Sequence, residues 1–192
     1  MPQNDQTALK FLLSRRSRPA KTLVAPGPTR EALMPLLTAA ARSPDHGKLE
    51  PWRFVVLQQG AMPRLADLVE ERGKALGKSD EDIAKGRSQF DQGILAVAVI
   101  EVQKPSEKIP AIEQSYSTGA VCLALLNAAL ASGWGANWLS GWPSHDRGFC
   151  EAGFGLAENE RIAGFIHIAT EGSKPPERPR PDLDAITDWV SQ

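Results

Sequence analysis

Between Arg42 and Glu50 the chain reads RSPDHGKLE, and the apolar run PWRFVVL follows at once. An arginine, an Asp-His pair and a lysine stand within nine residues, on a stretch expected to join a helix to a strand. Loops held between rigid elements commonly carry binding groups. The same residues also suit a plain turn, with Asp45 as a cap and Pro51-Trp52 as a packing stop. A second concentration is SRRSRP, Ser14 to Pro19, with three arginines and two serines at a helix end. Guanidinium forks and hydroxyls match phosphate oxygens, although a basic helix end also suits the helix dipole with no ligand present. A third is GWGANWLSGWP, Gly133 to Pro143. Its small residues admit close backbone approach and its tryptophans offer planar walls; core tryptophans beside turn glycines give the same pattern. Together the three suit a flat aromatic ring carried on a phosphorylated chain.

Other chemistries are poorly supplied. There is no phosphate-binding P-loop, and GWGANWLSG follows a helix, so it is not a dinucleotide fingerprint. His46, His145 and His167 lack a second ligand at metal spacing, and no G-x-S-x-G elbow occurs. Lys plus Arg is 22 against 23 Asp plus Glu, a net charge of -1, so no global field draws in nucleic acid or an anionic membrane. An anionic ligand has to be gripped by local arginines. Cys122 and Cys150 are far apart and read as buried thiols in a reducing compartment. The start, MPQNDQTALKFLL, has neither a basic n-region nor a cleavage site, so the cytoplasm is expected.

These groups need a scaffold, and 192 residues, 42% of them hydrophobic, suit a single domain spanning residues 1–192. Apolar spacing predicts helices over Thr7 to Arg15, from Thr29 or later (Pro35 lies inside) to Arg42, over Ala61 to Gly77, Asp80 to Gln92, Ile112 to Ser132, and Arg147 to Phe154. Strands are predicted at Arg53 to Gln59, Ile94 to Val102, Trp134 to Ser140 and Arg161 to Thr170. ILAVAVIEV reads as a central strand covered on both faces. The charged pair of helices over 61–92 reads as a solvated, mobile excursion. The stretch from Gln114 to Ser144 carries no charge, but its strictly apolar part is short and holds Asn127. It is read as a helix buried on all sides, not a membrane span. The tail SKPPERPRPD is extended, and the closing LDAITDWV is expected to dock through Trp189. The mixture of elements gives an α+β fold, with one sheet flanked by helices and the long apolar helix packed against a second copy.

In this order, LLSRRSRP, AARSPDHGKLEPWRFVVL, GWGANWLSG and IAGFIHIAT resemble the flavin-dependent nitroreductases, above all their short bacterial branch of the YdjA type, over nearly the whole chain. The resemblance implies a mixed, mainly antiparallel sheet in an intertwined homodimer with FMN at the subunit interface. It implies Arg15, Arg16 and Ser17 on the FMN phosphate and ribityl chain. Arg42 and His46 reach the flavin across the interface, and Trp138, Leu139 and Ser140 line the ring and chain. NADH or NADPH serves as hydride donor, and a nitroaromatic, quinone or similar compound as acceptor. The cofactor carries the chemistry, so no catalytic side chain is named. Reductive dehalogenation, flavin breakdown, or binding without turnover are the alternatives on the same fold. The chain departs from the larger members, which carry an Asn-x-Gln-Pro-Trp run where it has Lys48-Leu49-Glu50-Pro51-Trp52, and a lysine where it has Pro19. A cation at the flavin pyrimidine edge favours reduction; Arg18, Arg42, His46 and Lys48 are the candidates. The excursion over 61–92 is a candidate cover for the site.

Overall fold

The run LAVAVIEV forms a strand, β3 (Leu95–Val102), with every residue buried except its last. Alternate side chains of a strand leave on opposite faces, so β3 divides the interior in two. Leu95, Val97 and Val99 enter one core, with helices α2 (Arg30–Ala40) and α5 (Ala111–Ala131). Ala96, Ala98 and Ile100 enter the other, with α3 (Met62–Ala75), α4 (Asp80–Asp91) and α7 (Arg147–Phe154). Full burial of each large aliphatic side chain contributes about 1.5–3 kcal/mol. The computed structural model describes residues 6–192; residues 1–5, part of the stretch read as leader-free, lie outside that range.

β3 pairs antiparallel with β2 (Trp52–Gln58) on one side and with β5 (Glu160–Glu171) on the other. β5 also pairs antiparallel with β4 (Gly135–Leu139) and with the two-residue β1 (Leu23–Val24). Helices α1 (Gln6–Ser14) and α6 (Trp142–His145) complete the α+β set. Among the described residues no helix is long and apolar enough to cross a membrane.

One expectation holds and three are corrected. The Thr29 cap is borne out: α2 starts at Arg30 despite Pro35, with Thr29 Oγ1 accepting from the Ala32 amide at 3.3 Å. Pro35 lies on the exposed face, where the carbonyl that loses its donor meets water. The excursion over 61–92 is not a solvated flap: Met62, Leu65, Ala66, Val69 and Phe90 build the second core. Arg72 pins it, donating from Nε and Nη2 to the Asp146 carboxylate at 2.7 and 3.1 Å. α5 is not buried on all sides of the single chain. One stripe, including Thr118, Val121 and Leu125, is buried, while Ile112, Tyr116 and Leu123 are exposed. The closing run does not dock through Trp189, which is 90% exposed.

Candidate active site

α1 ends where Ser14 Oγ donates back to the Lys10 carbonyl, and the chain then runs out through Arg15, Arg16, Ser17 and Arg18. This segment lies beside β4, with the Arg18 amide donating to the Ala136 carbonyl at 2.8 Å. The arginines differ in what they hold. Arg18 is paired with Glu171 at 2.9 Å, and Arg16 with the Pro176 carbonyl and Glu177. Arg180, from the proline-rich tail, pairs with the same Glu177 at 2.9 Å. Among the described residues, the Arg15 guanidinium donates only to Ser17 Oγ, at 3.0 Å, and its buried Nε has no partner. Burial, then the neighbouring charges of Arg180, Arg16 and Arg18, hold its guanidinium below the ordinary value. Four arginines against two glutamates leave an excess of two positive charges. That complements a phosphate monoester of about -1.5 to -2. Arg180 was not singled out in the sequence; its only signal was an arginine in a proline-rich stretch.

Beyond Arg18 the segment becomes one wall of a cavity of about 730 Å³, with Pro19, Ala20 and Lys21 on that wall. Asn137, Leu139 and Ser140, from β4 and the turn after it, form the floor. The third wall is α4, through Lys85, Gly86 and Gln89 among others, so part of the excursion does border the hollow. Trp142 fixes that wall. Its Nε1 donates to the Asp82 carbonyl at 3.1 Å, and a Cβ added at Gly86 would stand 2.8 Å from the same nitrogen. Gly73 on α3 gives the ring its other clearance: a Cβ added there would stand 3.3 Å from Trp142 Cζ2. Gln89 is 9% exposed; its Nε2 donates to the Gly86 carbonyl at 3.3 Å and its Oε1 has no partner. A smaller cavity of about 440 Å³, lined by Glu101, Arg161, Glu160 and Arg147 among others, is less suited to a charged ligand. Its carboxylates and guanidiniums already pair with protein groups.

Of the residues expected from the sequence, Leu139 and Ser140 line the cavity, and Arg15, Arg16 and Ser17 lead into its wall. Trp138 points to the other side of β4, where its indole lies over Gly164. Arg42 and His46 do not line the cavity of the single chain. They sit on the α2–β2 loop, where His46 Nδ1 meets Glu113 Oε2 at 2.7 Å. Pairing with Glu171 already occupies Arg18, so among the four candidate cations it is the least free to face a flavin. The wall residues Lys85 and Gln89 were missed because their position depends on how α4 folds back, which local spacing does not encode; Lys21 lies two residues beyond the SRRSRP run and was not singled out.

The chain matches the Nitroreductase family model over residues 12–170. It is 35% identical over 163 residues to "Putative NAD(P)H nitroreductase YdjA" of Escherichia coli K12, covering 85% of this chain and 87% of that one. A Haemophilus influenzae protein, "Putative NAD(P)H nitroreductase", is 32% identical over 164 residues, 85% of this chain and 88% of its own. In fold, the nitroreductase-like protein of Bacillus cereus superposes with a TM-score of 0.80 at 24% identity, over 99% of this chain and 98% of that one. A Desulfovibrio desulfuricans structure described as a nitroreductase in complex with FMN gives 0.76 at 16% identity, over 98% and 100%. With a family match across most of its length and relatives above 30% identity, the chain belongs to the nitroreductase family.

Proposed function

We propose that this chain is an FMN-dependent NAD(P)H oxidoreductase that works as a homodimer on nitroaromatic, quinone or similar electron-poor acceptors. The observation that carries the reading is the excess of two positive charges around Arg15, beside a cavity large enough for a ring. The unpartnered, buried Arg15 Nε is the kind of donor a phosphate oxygen satisfies. Bound FMN supplies hydride uptake from NADH or NADPH and hydride delivery to the acceptor.

The chain's own groups bind, orient and exclude water. Arg15, Arg16, Ser17 and Arg180 hold the phosphate end. Leu139 and Ser140 border the ring, and Trp142 holds α4 in place as the facing wall. Arg42 and His46 serve the site of a second copy. That assignment is supported by their place outside the single-chain cavity and by exposed apolar groups on α5 and the tail. Ile112, Tyr116, Leu123, Leu183, Ile186, Trp189 and Val190 are all exposed in the single chain, as a surface covered by a second copy requires.

Protein purified with added FMN and desalted is expected to be yellow, to bleach with NADH or NADPH under anaerobic conditions, and to run as a dimer in light scattering. Colourless, monomeric protein that takes up no FMN refutes the reading. A yellow dimer that oxidises NAD(P)H no faster than free FMN refutes the enzyme and keeps the binding.

A further inference from the structure

We infer that Glu113 is a positioning residue that fixes the tautomer of His46, so that the histidine presents a hydrogen-bond acceptor, not a donor, to the ligand. The inference rests on the reading that His46 serves an FMN site. It starts from the contact of His46 Nδ1 with Glu113 Oε2 at 2.7 Å. An ionised carboxylate only accepts hydrogen bonds, so the proton between them belongs to Nδ1. In the neutral imidazole the other nitrogen, Nε2, then carries the lone pair. The His46 side chain is 62% exposed although Nδ1 is engaged, which leaves the Nε2 edge open to a ligand.

The loop is built to keep this contact. Three residues within four positions take left-handed backbone: Gly47 at φ 71°, Lys48 at 55° and Glu50 at 47°. For Lys48 and Glu50, which carry a Cβ, this conformation is unfavourable and persists only where the surroundings impose it. The surroundings are identifiable. Asp45 Oδ2 accepts from the Glu50 amide at 2.8 Å and closes the turn. A Cβ at Gly47 would stand 2.5 Å from Ile109 Cδ1, so the loop presses on the segment leading into α5. Thr118 Oγ1, one further turn along α5 from Glu113, donates to the Pro51 carbonyl at 3.0 Å and ties down the far end. A strained loop that abuts Ile109 at one end and is tied at the other to Thr118, on the helix that carries Glu113, holds the imidazole against the carboxylate. A lone-pair nitrogen here recognises an N–H or O–H donor: the imide of a flavin or a ribityl hydroxyl.

The test uses ¹⁵N-labelled protein loaded with FMN, with the His46 signal assigned through His46→Gln. Long-range nitrogen–proton spectra at pH 8 are expected to show His46 protonated on Nδ1, and the Glu113→Ala holoprotein to shift toward the Nε2–H form. The FMN dissociation constant of Glu113→Ala is expected to rise by about tenfold, with part of the loss restored by Glu113→Asp. In a His46→Ala background the same substitution should add nothing. 3-Methyl-FMN, which lacks the imide N–H, separates the two donors. If its penalty disappears in His46→Ala, the imide is the group read; if the penalty persists there, the hydroxyl is. An Nε2–H tautomer in the wild type, or an undiminished Glu113→Ala loss in the His46→Ala background, overturns the inference while FMN binding stands. Protein that binds no FMN at all overturns the functional reading, and the inference goes with it.

Discussion

Replacing His167 should change how stability depends on pH, within a defined window. His167 lies on β5, opposite Ala96 of β3 and Asn137 of β4, and is 2% exposed with no partner for Nε2. Burial, with no compensating carboxylate, pushes its pKa down from 6.5 to about 4. The sign follows from proton counting. Between these values the unfolded chain binds a proton at this site and the folded chain does not, so stability rises with pH across the interval. Stability is therefore fully present above pH 6.5 and is lost as pH falls toward 4. Each unit is worth 1.36 kcal/mol, so the interval amounts to about 3 kcal/mol, a large fraction of a typical domain stability of about 5–15 kcal/mol. The assay is urea unfolding at half-unit steps from pH 4 to 8, comparing the wild type with His167→Leu and, should that variant fold poorly, His167→Gln. Carboxylates titrate equally in all three proteins, so the difference between curves isolates the histidine. Wild-type and variant curves that run parallel from pH 6.5 to 4 would show that His167 takes up its proton in the folded state, and the argument from burial would be wrong.

Arg15→Ala should weaken FMN binding by about 1.5–3 kcal/mol, the worth of a hydrogen bond to a charged group; fluorescence titration measures it, and an unchanged affinity removes Arg15 from the phosphate clamp. Glu101 is 3% exposed; burial alone would raise its pKa, but hydrogen bonds from Arg161, Ser115 and Gln103 outweigh that and hold it below the ordinary value. Its contribution is thus present above the unfolded value of 4.5 and lost as pH falls below it, and Glu101→Gln should flatten the acid limb there without altering the His167 window. Gly86→Val should cost about 1–3 kcal/mol by overpacking, because even its Cβ meets Trp142 Nε1 at 2.8 Å and Val69 Cγ1 at 3.0 Å; thermal unfolding reads the loss, and an unchanged midpoint refutes the packing. Burial pushes the Cys122 thiol up to about 12, so a maleimide at pH 8 should leave it unmodified in the folded protein and label it in urea.

The sheet was legible in the sequence because its strands are apolar runs whose composition leaves little choice. Ile94 to Val102 and Arg161 to Thr170 were expected, and the strands span Leu95–Val102 and Glu160–Glu171. β1 was not legible: at two residues it exists only through its pairing with Thr170 and Glu171. The charged helices misled for a related reason. Their mean composition is polar, but Leu65, Val69 and Phe90 recur on one face and are fully buried. A helix needs only such a stripe to join a core, so charge density was a poor guide to whether α3 and α4 pack.

The candidate site divides along the same line. SRRSRP could be read because its chemistry is contiguous, whereas Arg180 reaches it from the far end of the chain and Gln89 from a helix that had been read as loose. Trp142 connects these observations. It follows β4 directly in sequence, yet its indole is seated by Gly73 on α3 and Gly86 on α4 and bonded to the Asp82 carbonyl. The shape of the cavity wall is therefore set by how α3 and α4 pack around Trp142. Glycines in the interior of a helix cost about 0.8–1 kcal/mol each relative to alanine, and here that cost creates the room in which the tryptophan sits. Two glycines thus help determine where α4 stands, and with it the placement of Lys85 and Gln89 opposite Leu139 and Ser140.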